Sequence, residues 1–255
     1  MEKFRSVLRR NAYAGHTAGL CPGLLQTNLV ILPKKYALDF ETYCRLNPKP
    51  CPLIARTDVG ALSFDSFDHN LDLRYDLPKF RTYSKGEFTT ELRDISGLWQ
   101  NNFVSFALGC SFSFENALQQ SGISVRHIDE NKTVPMYRTN LTTSRAGIFH
   151  GPVVVSMRPI PRDRVEQTIA ICDTFPHAHG APLHVGDPTA IGISDICQPE
   201  WGESVKVHEG DVPVFWACGV TTHLALSHAK PDVAITHAPG AMLILSMSDT
   251  GAAET

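Results

Sequence analysis

The sequence predicts an α/β or α+β fold built on a mixed sheet, and three observations point there. Short apolar and β-branched runs alternate with stretches of helical periodicity, most regularly in the second half. The 255-residue chain is 43% hydrophobic, enough for one large or two small domains with a real core. Only 19% of its residues are charged, which argues against a disordered or coiled-coil protein, and the chain shows no internal repeat or low-complexity tract.

Phe4, Val7 and Leu8 share one face of a basic N-terminal segment that carries Lys3, Arg5, Arg9 and Arg10. This reads as a first amphipathic helix, with a transit peptide as the alternative. A Gly-rich stretch over residues 15–23 leads into an apolar run at 24–33, a short strand or buried turn stopped by Pro33. Tyr36, Ala37, Phe40, Tyr43 and Cys44 give residues 34–47 helical spacing, and Pro48, Pro50 and Pro52 then force extended backbone. Residues 57–86, with five Asp between Asp58 and Asp76, read as a long surface loop with one strand.

A helix is expected over 98–108, burying Trp99, Phe103, Phe106 and Ala107. A polar bend at Gly109-Cys110-Ser111-Phe112 leads to a second helix over 113–120, with Ser113 as its N-cap. Residues 124–128 read as a short strand, followed by an extended run through Pro135. The β-branched run 153–157 is a strand closed by Arg158-Pro159, and a helix follows over 161–173. Further strands are expected at 181–185, 205–207, 212–217, 234–236 and 242–245.

Composition narrows the function. Lysine and arginine (23) are outnumbered by aspartate and glutamate (26), and no cluster of five basic residues occurs, so no nucleic-acid partner is expected. The seven cysteines are odd in number, widely spaced and never in a C-x-x-C pattern, as free thiols in a reducing compartment would be. The longest apolar run, 212–220, contains Pro213 and Gly219 and falls far short of the ~20 residues a bilayer requires, so no membrane partner is expected either. The expected location is cytoplasmic, with mitochondrial as the alternative if the basic start is a transit peptide. A homo-oligomer is compatible with all of this.

No P-loop, no G-x-G-x-x-G after a strand and no G-x-S-x-G elbow is present. The candidate chemistry lies instead in polar residues beside glycines and prolines at strand ends. A bend that opens a helix at Cys110, Ser111 and Ser113 presents free N–H groups to an anion and makes Cys110 a candidate nucleophile. Arg138, near Asn140, and Arg158 are suited to clamping a carboxylate, with an ordinary ion pair as the alternative. His184 and Asp187, either side of Gly186, suit acid/base work. His177 and His179 would share one side of an extended segment and imitate a metal-ligand pair, although no third ligand is fixed by spacing, and no metal is expected. Gly219 with Thr221, and Thr236 with His237, end two apolar strands in turns able to approach a ligand oxygen.

The runs Asn47-Pro48-Lys49-Pro50-Cys51-Pro52, Leu108-Gly109-Cys110-Ser111-Phe112-Ser113-Phe114-Glu115, Val134-Pro135-Met136-Tyr137-Arg138-Thr139-Asn140, Val155-Ser156-Met157-Arg158-Pro159, Gly186-Asp187-Pro188, Phe215-Trp216-Ala217-Cys218-Gly219-Val220-Thr221 and Thr236-His237-Ala238-Pro239-Gly240 together resemble the hydro-lyase family that is also called the D-glutamate cyclase family. The resemblance extends from about residue 15 to 246. Relatives usually read Gly-Tyr-Val-Gln-Ala-Asn where this chain has Gly23-Leu24-Leu25-Gln26-Thr27-Asn28, Val-Thr-Pro-Gln where it has Val220-Thr221-Thr222-His223, and a second histidine where it has Ala241. The resemblance implies a mixed-sheet three-layer α/β/α portion, residues 1–127 and 234–255, with a smaller two-layer α+β subdomain, residues 128–233. It also implies a compact form without the extra C-terminal domain of longer animal relatives.

The activity implied is that of a lyase removing water from a small carboxylate or amino-acid substrate, in its most specific form closing D-glutamate to 5-oxo-D-proline. Arg138 or Arg158 would bind the carboxylate, N–H groups around Cys110 to Ser113 or at Gly219 would hold an oxyanion, and His184, Asp187 and His237 would transfer protons. No cofactor is required by this scheme. Thiol-dependent amide hydrolysis through Cys110 or Cys218, and a non-catalytic carboxylate-binding accessory protein, are the alternatives.

Overall fold

The computed structural model describes residues 1–17, 19–64 and 68–248. Its centre is β1 (Leu24–Pro33), buried along nearly its whole length. Leu25, Leu29 and Ile31 face one core while Val30 and Leu32 face the other, so the strand has apolar neighbours on both sides. One edge of β1 pairs with β5 (Phe103–Gly109), from Thr27 opposite Gly109 to Pro33 opposite Phe103. The other edge pairs first with β11 (Leu243–Ser248) and then with β10 (Ala234–His237). Beyond β5 lies β2 (Leu53–Arg56), and beyond β10 lie β3 (Phe80–Ser84) and β4 (Glu87–Leu92).

Helices α2 (Lys34–Leu46) and α6 (Val220–Ala229) cover one face, through Phe40, Tyr43, Ala225 and Leu226. The opposite face is covered by the irregular segment that supplies Phe64, Leu71, Leu73 and Leu77. Helix α1 (Glu2–Arg9) is tied to that segment: Arg5 is buried on Asp68, and Arg9 donates to Asp76 at 2.7 and 2.6 Å. The basic N-terminal residues thus form the amphipathic helix expected of them. No helix among the described residues is long and apolar enough to cross a membrane.

The second sheet orders β6 (Met136–Thr142), β7 (Pro152–Pro161), β9 (Asp211–Ala217) and the two-residue β8 (His184–Val185). Helices α3 (Phe112–Gln120) and α5 (Val165–Asp173) pack Phe114, Leu118 and Cys172 on the face that carries Ile160, Val214 and Trp216. The other face carries Tyr137, Val155, Met157 and Phe215 under Ile191 and Ile193. Two sheets with covering helices make the α/β class expected; where a mixed sheet was expected, every described ladder is antiparallel.

Several local expectations are corrected. Residues 98–108 form no helix: a 3-10 turn (Ser96–Leu98) precedes β5, whose apolar run is buried on both faces and so carries no alternation to mark it as a strand. Residues 124–128 are not a strand but lead into the short helix α4 (Arg126–Asp129), with Val125 buried and Ile128 exposed. The strand expected at 181–185 shrinks to β8, 205–207 joins no ladder among the described residues, and β7 runs on through Arg158 and Pro159. Helix α6 is additional to the expected set, since its β-branched opening Val220-Thr221-Thr222 hides its helical character. Beta strand β4 is likewise additional to the one strand expected over 57–86, and residues 65–67 of that loop lie outside the described residues.

Candidate active site

Two strand-to-helix turns define the site. Strand β5 ends in Gly109 and passes through Cys110 and Ser111 into α3, while β9 ends in Ala217 and passes through Cys218 and Gly219 into α6. The free N–H groups at each helix start face a thiol: Phe112 N–H faces Cys110, and Gly219 and Val220 N–H face Cys218. Asn28 on β1 joins the two turns. Its Nδ2 donates to the Gly109 carbonyl at 2.8 Å, and its amide lies so close to Gly219 that a Cβ there would sit 2.8 Å from Nδ2. Gly109 is equally constrained, since a Cβ on it would fall 1.5 Å from the His177 carbonyl oxygen.

Residue alternation places the rest. Met136 and Arg138 on β6, Ser156 and Arg158 on β7, and Trp216 on β9 share one face of the second sheet through their register partners. Met136 reaches the Cys218 turn, with the two sulfurs 3.5 Å apart. Arg158 is fully buried between the rings of Phe114 and Trp216, 5.0 and 5.1 Å from their centroids. Its Nε donates to Glu115 at 3.0 Å, Nη1 to Ser156 at 2.9 Å, and Nη2 to Ser111 at 3.2 Å and to Glu115 as well. Burial raises the Glu115 carboxyl, but Arg158 and then His127, whose Nε2 is 3.4 Å away, outweigh it and hold the pKa at about 2. Arg158 is thus engaged by an internal carboxylate, the ion-pair alternative stated above. Arg138 is exposed, and its guanidinium makes no hydrogen bond or ion pair among the described residues; only its main-chain N–H is bonded, to Glu200.

The histidines separate into two groups. His237 is 3% exposed, its Nδ1 3.2 Å from the Leu29 N–H, and burial with neighbouring His223 lowers its pKa to about 3. His223, one of the departures from the family's usual residues, stands with its ring 5.5 Å from that of His237, and burial lowers it to about 4. His179 is buried with its Nδ1 2.7 Å from the Lys49 carbonyl, and burial lowers it to about 4 as well. His177 is exposed in a 3-10 turn (Pro176–Ala178), so the extended His177–His179 pair does not form. Among the described residues no three His, Cys, Asp or Glu gather to hold a metal ion.

His184 and Asp187 stand elsewhere. His184 packs on Phe215, on the sheet face opposite Arg158, and its Nε2 meets the Asp187 carbonyl at 2.7 Å, not the carboxylate. The Asp187 carboxylate is exposed and caps a 3-10 turn through Thr189. Asn140 lies against Gly192 at the end of that same turn. Thr221 Oγ1 accepts from the Val154 N–H at 2.9 Å and pins α6 to β7, Thr236 donates to the His237 carbonyl at 2.9 Å, and Ser113 is buried in the first turn of α3. Ser111, not Ser113, holds the N-cap position, and its hydroxyl serves Arg158 rather than the helix.

The structure thus brings Cys110, Ser111, Arg158, Gly219 and His237 to the two turns and leaves His184, Asp187 and Asn140 apart from them. Asn28, Glu115, Ser156 and His223 belong to this centre and carry little signal in the sequence. Glu115 alone is legible after the fact, four residues after Ser111 on one helix face. Both thiols are half-buried, and burial pushes Cys110 up to about 12 and Cys218 upward too, so both are neutral at physiological pH.

Residues 104–246 match the family model described as D-glutamate cyclase. A protein of Dinoroseobacter shibae named "Putative hydro-lyase" is 52% identical over 244 residues, 96% of this chain and 81% of that protein. A protein of Geobacillus kaustophilus with the same designation is 50% identical over 245 residues, 96% of this chain and 93% of that one. One of Clostridium beijerinckii is 48% identical over 240 residues, covering 94% and 92%.

Proposed function

This chain belongs to the D-glutamate cyclase family, and from that premise we propose that it is a lyase acting on a small carboxylate, closing D-glutamate to 5-oxo-D-proline and water. The observation that carries the reading is Asn28 bridging the two strand-to-helix turns, which sets two sets of free N–H groups around one polar centre. In this reaction the amine nitrogen attacks the side-chain carboxyl carbon. The C–N bond forms, a C–O bond breaks, and the two protons the nitrogen gives up leave with the oxygen as water. Net charge is unchanged, so the centre must relay protons rather than absorb charge, which suits neutral thiols and neutral imidazoles.

Arg138 holds the second carboxylate at the rim. It is the arginine on this face whose guanidinium has no internal carboxylate, and its register partner Val154 accepts the Cys218 N–H at 2.9 Å, next to the second turn. The helix-start N–H groups hold the tetrahedral oxyanion, and His237, bound to the main chain of Leu29 next after Asn28, supplies a polar ring to the same centre. Thiol-dependent hydrolysis has less support, because burial keeps Cys110 and Cys218 protonated. The test is direct: folded protein is incubated with D- and L-glutamate and 5-oxoproline is resolved by chiral chromatography with mass spectrometry. D-selective product, reduced at least a hundredfold in His237→Ala, is expected; no product from folded wild type would overturn the reading.

A further inference from the structure

His179 has no place in that account, yet it is 2% exposed and its segment closes on the first turn through the His177 carbonyl at Gly109. We propose that His179 and His237 form a matched pair of neutral imidazoles held in opposite tautomers, His179 accepting a proton at Nε2 and His237 donating a hydrogen bond from Nε2–H. The proposal deepens the lyase reading above and rests on it for the chemistry, though not for the tautomers.

The His179 tautomer is set by a main-chain group that can only accept, and the His237 tautomer by the nearer of two main-chain groups on Leu29. The group 2.7 Å from His179 Nδ1 is the Lys49 carbonyl, an acceptor, so Nδ1 carries the proton and Nε2 keeps its lone pair. The group 3.2 Å from His237 Nδ1 is the Leu29 N–H, a donor, so Nδ1 is bare and Nε2 carries the proton; the Leu29 carbonyl is farther, at 3.5 Å. The sheet explains why Leu29 needs a side-chain acceptor. Strand β10 pairs with Val30 and Ile31 and β11 resumes only at Thr27, leaving the β1 edge between them without a ladder partner.

Both rings are anchored on segments that meet the bond joining the turns. Lys49 precedes Pro52, whose carbonyl accepts the Gly109 N–H at 2.8 Å, and the His177 carbonyl closes on Gly109 from the segment that carries His179. The Gly109 carbonyl accepts Asn28, and Asn28 precedes the Leu29 that binds His237. His179 is also held in left-handed backbone at φ 77°, a conformation a β-carbon disfavours, which marks the position as imposed by its surroundings. Burial first, then Arg158 and Lys49 at His179 and His223 and Arg81 at His237, oppose protonation of either ring.

In the cyclisation, the nitrogen gives up two protons, which His179 Nε2 takes in turn and returns to the departing oxygen. His237 Nε2–H holds the carboxyl oxygen that gains charge as the C–N bond forms. Water leaves and both imidazoles end neutral.

Long-range 1H–15N spectra of histidine-labelled protein at pH 7 read the tautomers without substrate, with signals assigned from His179→Gln and His237→Gln. Opposite tautomers are expected, with kcat falling at least a hundredfold in His179→Gln, which cannot take a proton. His237→Gln, which keeps an N–H at the same reach, should retain at least tenfold more activity than His237→Ala. The same tautomer in both rings, an imidazolium at either, or wild-type kcat in His179→Gln would overturn the pair. A wild type that forms no 5-oxoproline defeats the functional reading instead, and the spectra still decide the tautomers.

Discussion

Glu115→Gln tests whether Arg158 is internal scaffold or a ligand clamp. The substitution keeps the shape of the side chain and removes its charge, leaving a guanidinium fully buried without a counter-ion. Two routes give the magnitude. Holding the Glu115 carboxyl at about 2 rather than its ordinary 4.5 corresponds to about 3 kcal/mol of stabilisation at neutral pH. Breaking a buried pair by removing one partner costs about 3–5 kcal/mol. Urea unfolding at pH 7, followed by tryptophan fluorescence, should therefore show the variant about 3 kcal/mol less stable. The pH dependence has a definite sign. A carboxyl held below its ordinary value contributes fully above pH 4.5 and loses that contribution as pH falls toward 2. The gap between wild type and variant should be constant from pH 8 to about 5 and narrow below that, with His179, His223 and His237, none of which is coupled to Glu115, cancelling in the difference. Adding Arg158→Met should recover part of the loss, because an apolar replacement removes the stranded charge. A gap under 1 kcal/mol at pH 7, or one that does not narrow below pH 4.5, would mean that Arg158 does not depend on Glu115 and is open to a ligand.

Arg138→Met should raise KM for the carboxylate substrate at least tenfold, in line with about 1.5–3 kcal/mol for hydrogen bonds to a charged group, with kcat and the melting temperature little changed because the side chain is exposed; steady-state kinetics and calorimetry check both. Gly109→Ala should fail to accumulate as folded protein, since its methyl would sit 1.5 Å from the His177 carbonyl oxygen; circular dichroism of the soluble fraction reads this, and a folded variant of native melting temperature would refute the close approach. Iodoacetamide at pH 7.5 should modify exposed Cys197 well before Cys110, whose thiol is pushed up to about 12, with peptide mass mapping as the readout and preferential labelling of Cys110 as the contrary result.

The parts of the fold legible in the sequence are those whose pattern has one physical cause. Helix α2 shows its buried stripe because only one face is covered, and β9 and β10 show as compact apolar runs bounded by turns. Strand β5 was illegible because burial on both faces removes alternation, and α6 because β-branched residues open it. The site divides in the same way. Sequence places Cys110, Arg138, Arg158 and His237 at element ends, whereas the structure puts both arginines inside β6 and β7, and only register decides what they face. Arg138 and Arg158 have the same chemistry and the same sheet face; four residues of β7 register, about 13 Å, separate a rim position from a buried pair with Glu115. His184 shows the converse, since its register partner is Phe215 rather than Trp216, and that single step turns it to the opposite face.

Burial also decides which proton chemistry the centre can support. Glu115 spends its charge on Arg158, both thiols are held protonated, and His179, His223 and His237 are held neutral. A free anionic base in that interior would oppose the dicarboxylate proposed above, so a net-neutral interior with the Arg138 guanidinium at its rim fits that proposal better than a charged one would. The same neutrality limits how the reaction can proceed. On the proposed reading protons pass between neutral partners whose direction is set in advance by the main chain, a carbonyl at Lys49 for His179 and an N–H at Leu29 for His237. The proposed function therefore depends on the gap in the ladder beside Leu29 as much as on the imidazoles themselves, because pairing that N–H with a strand would release His237 to the other tautomer.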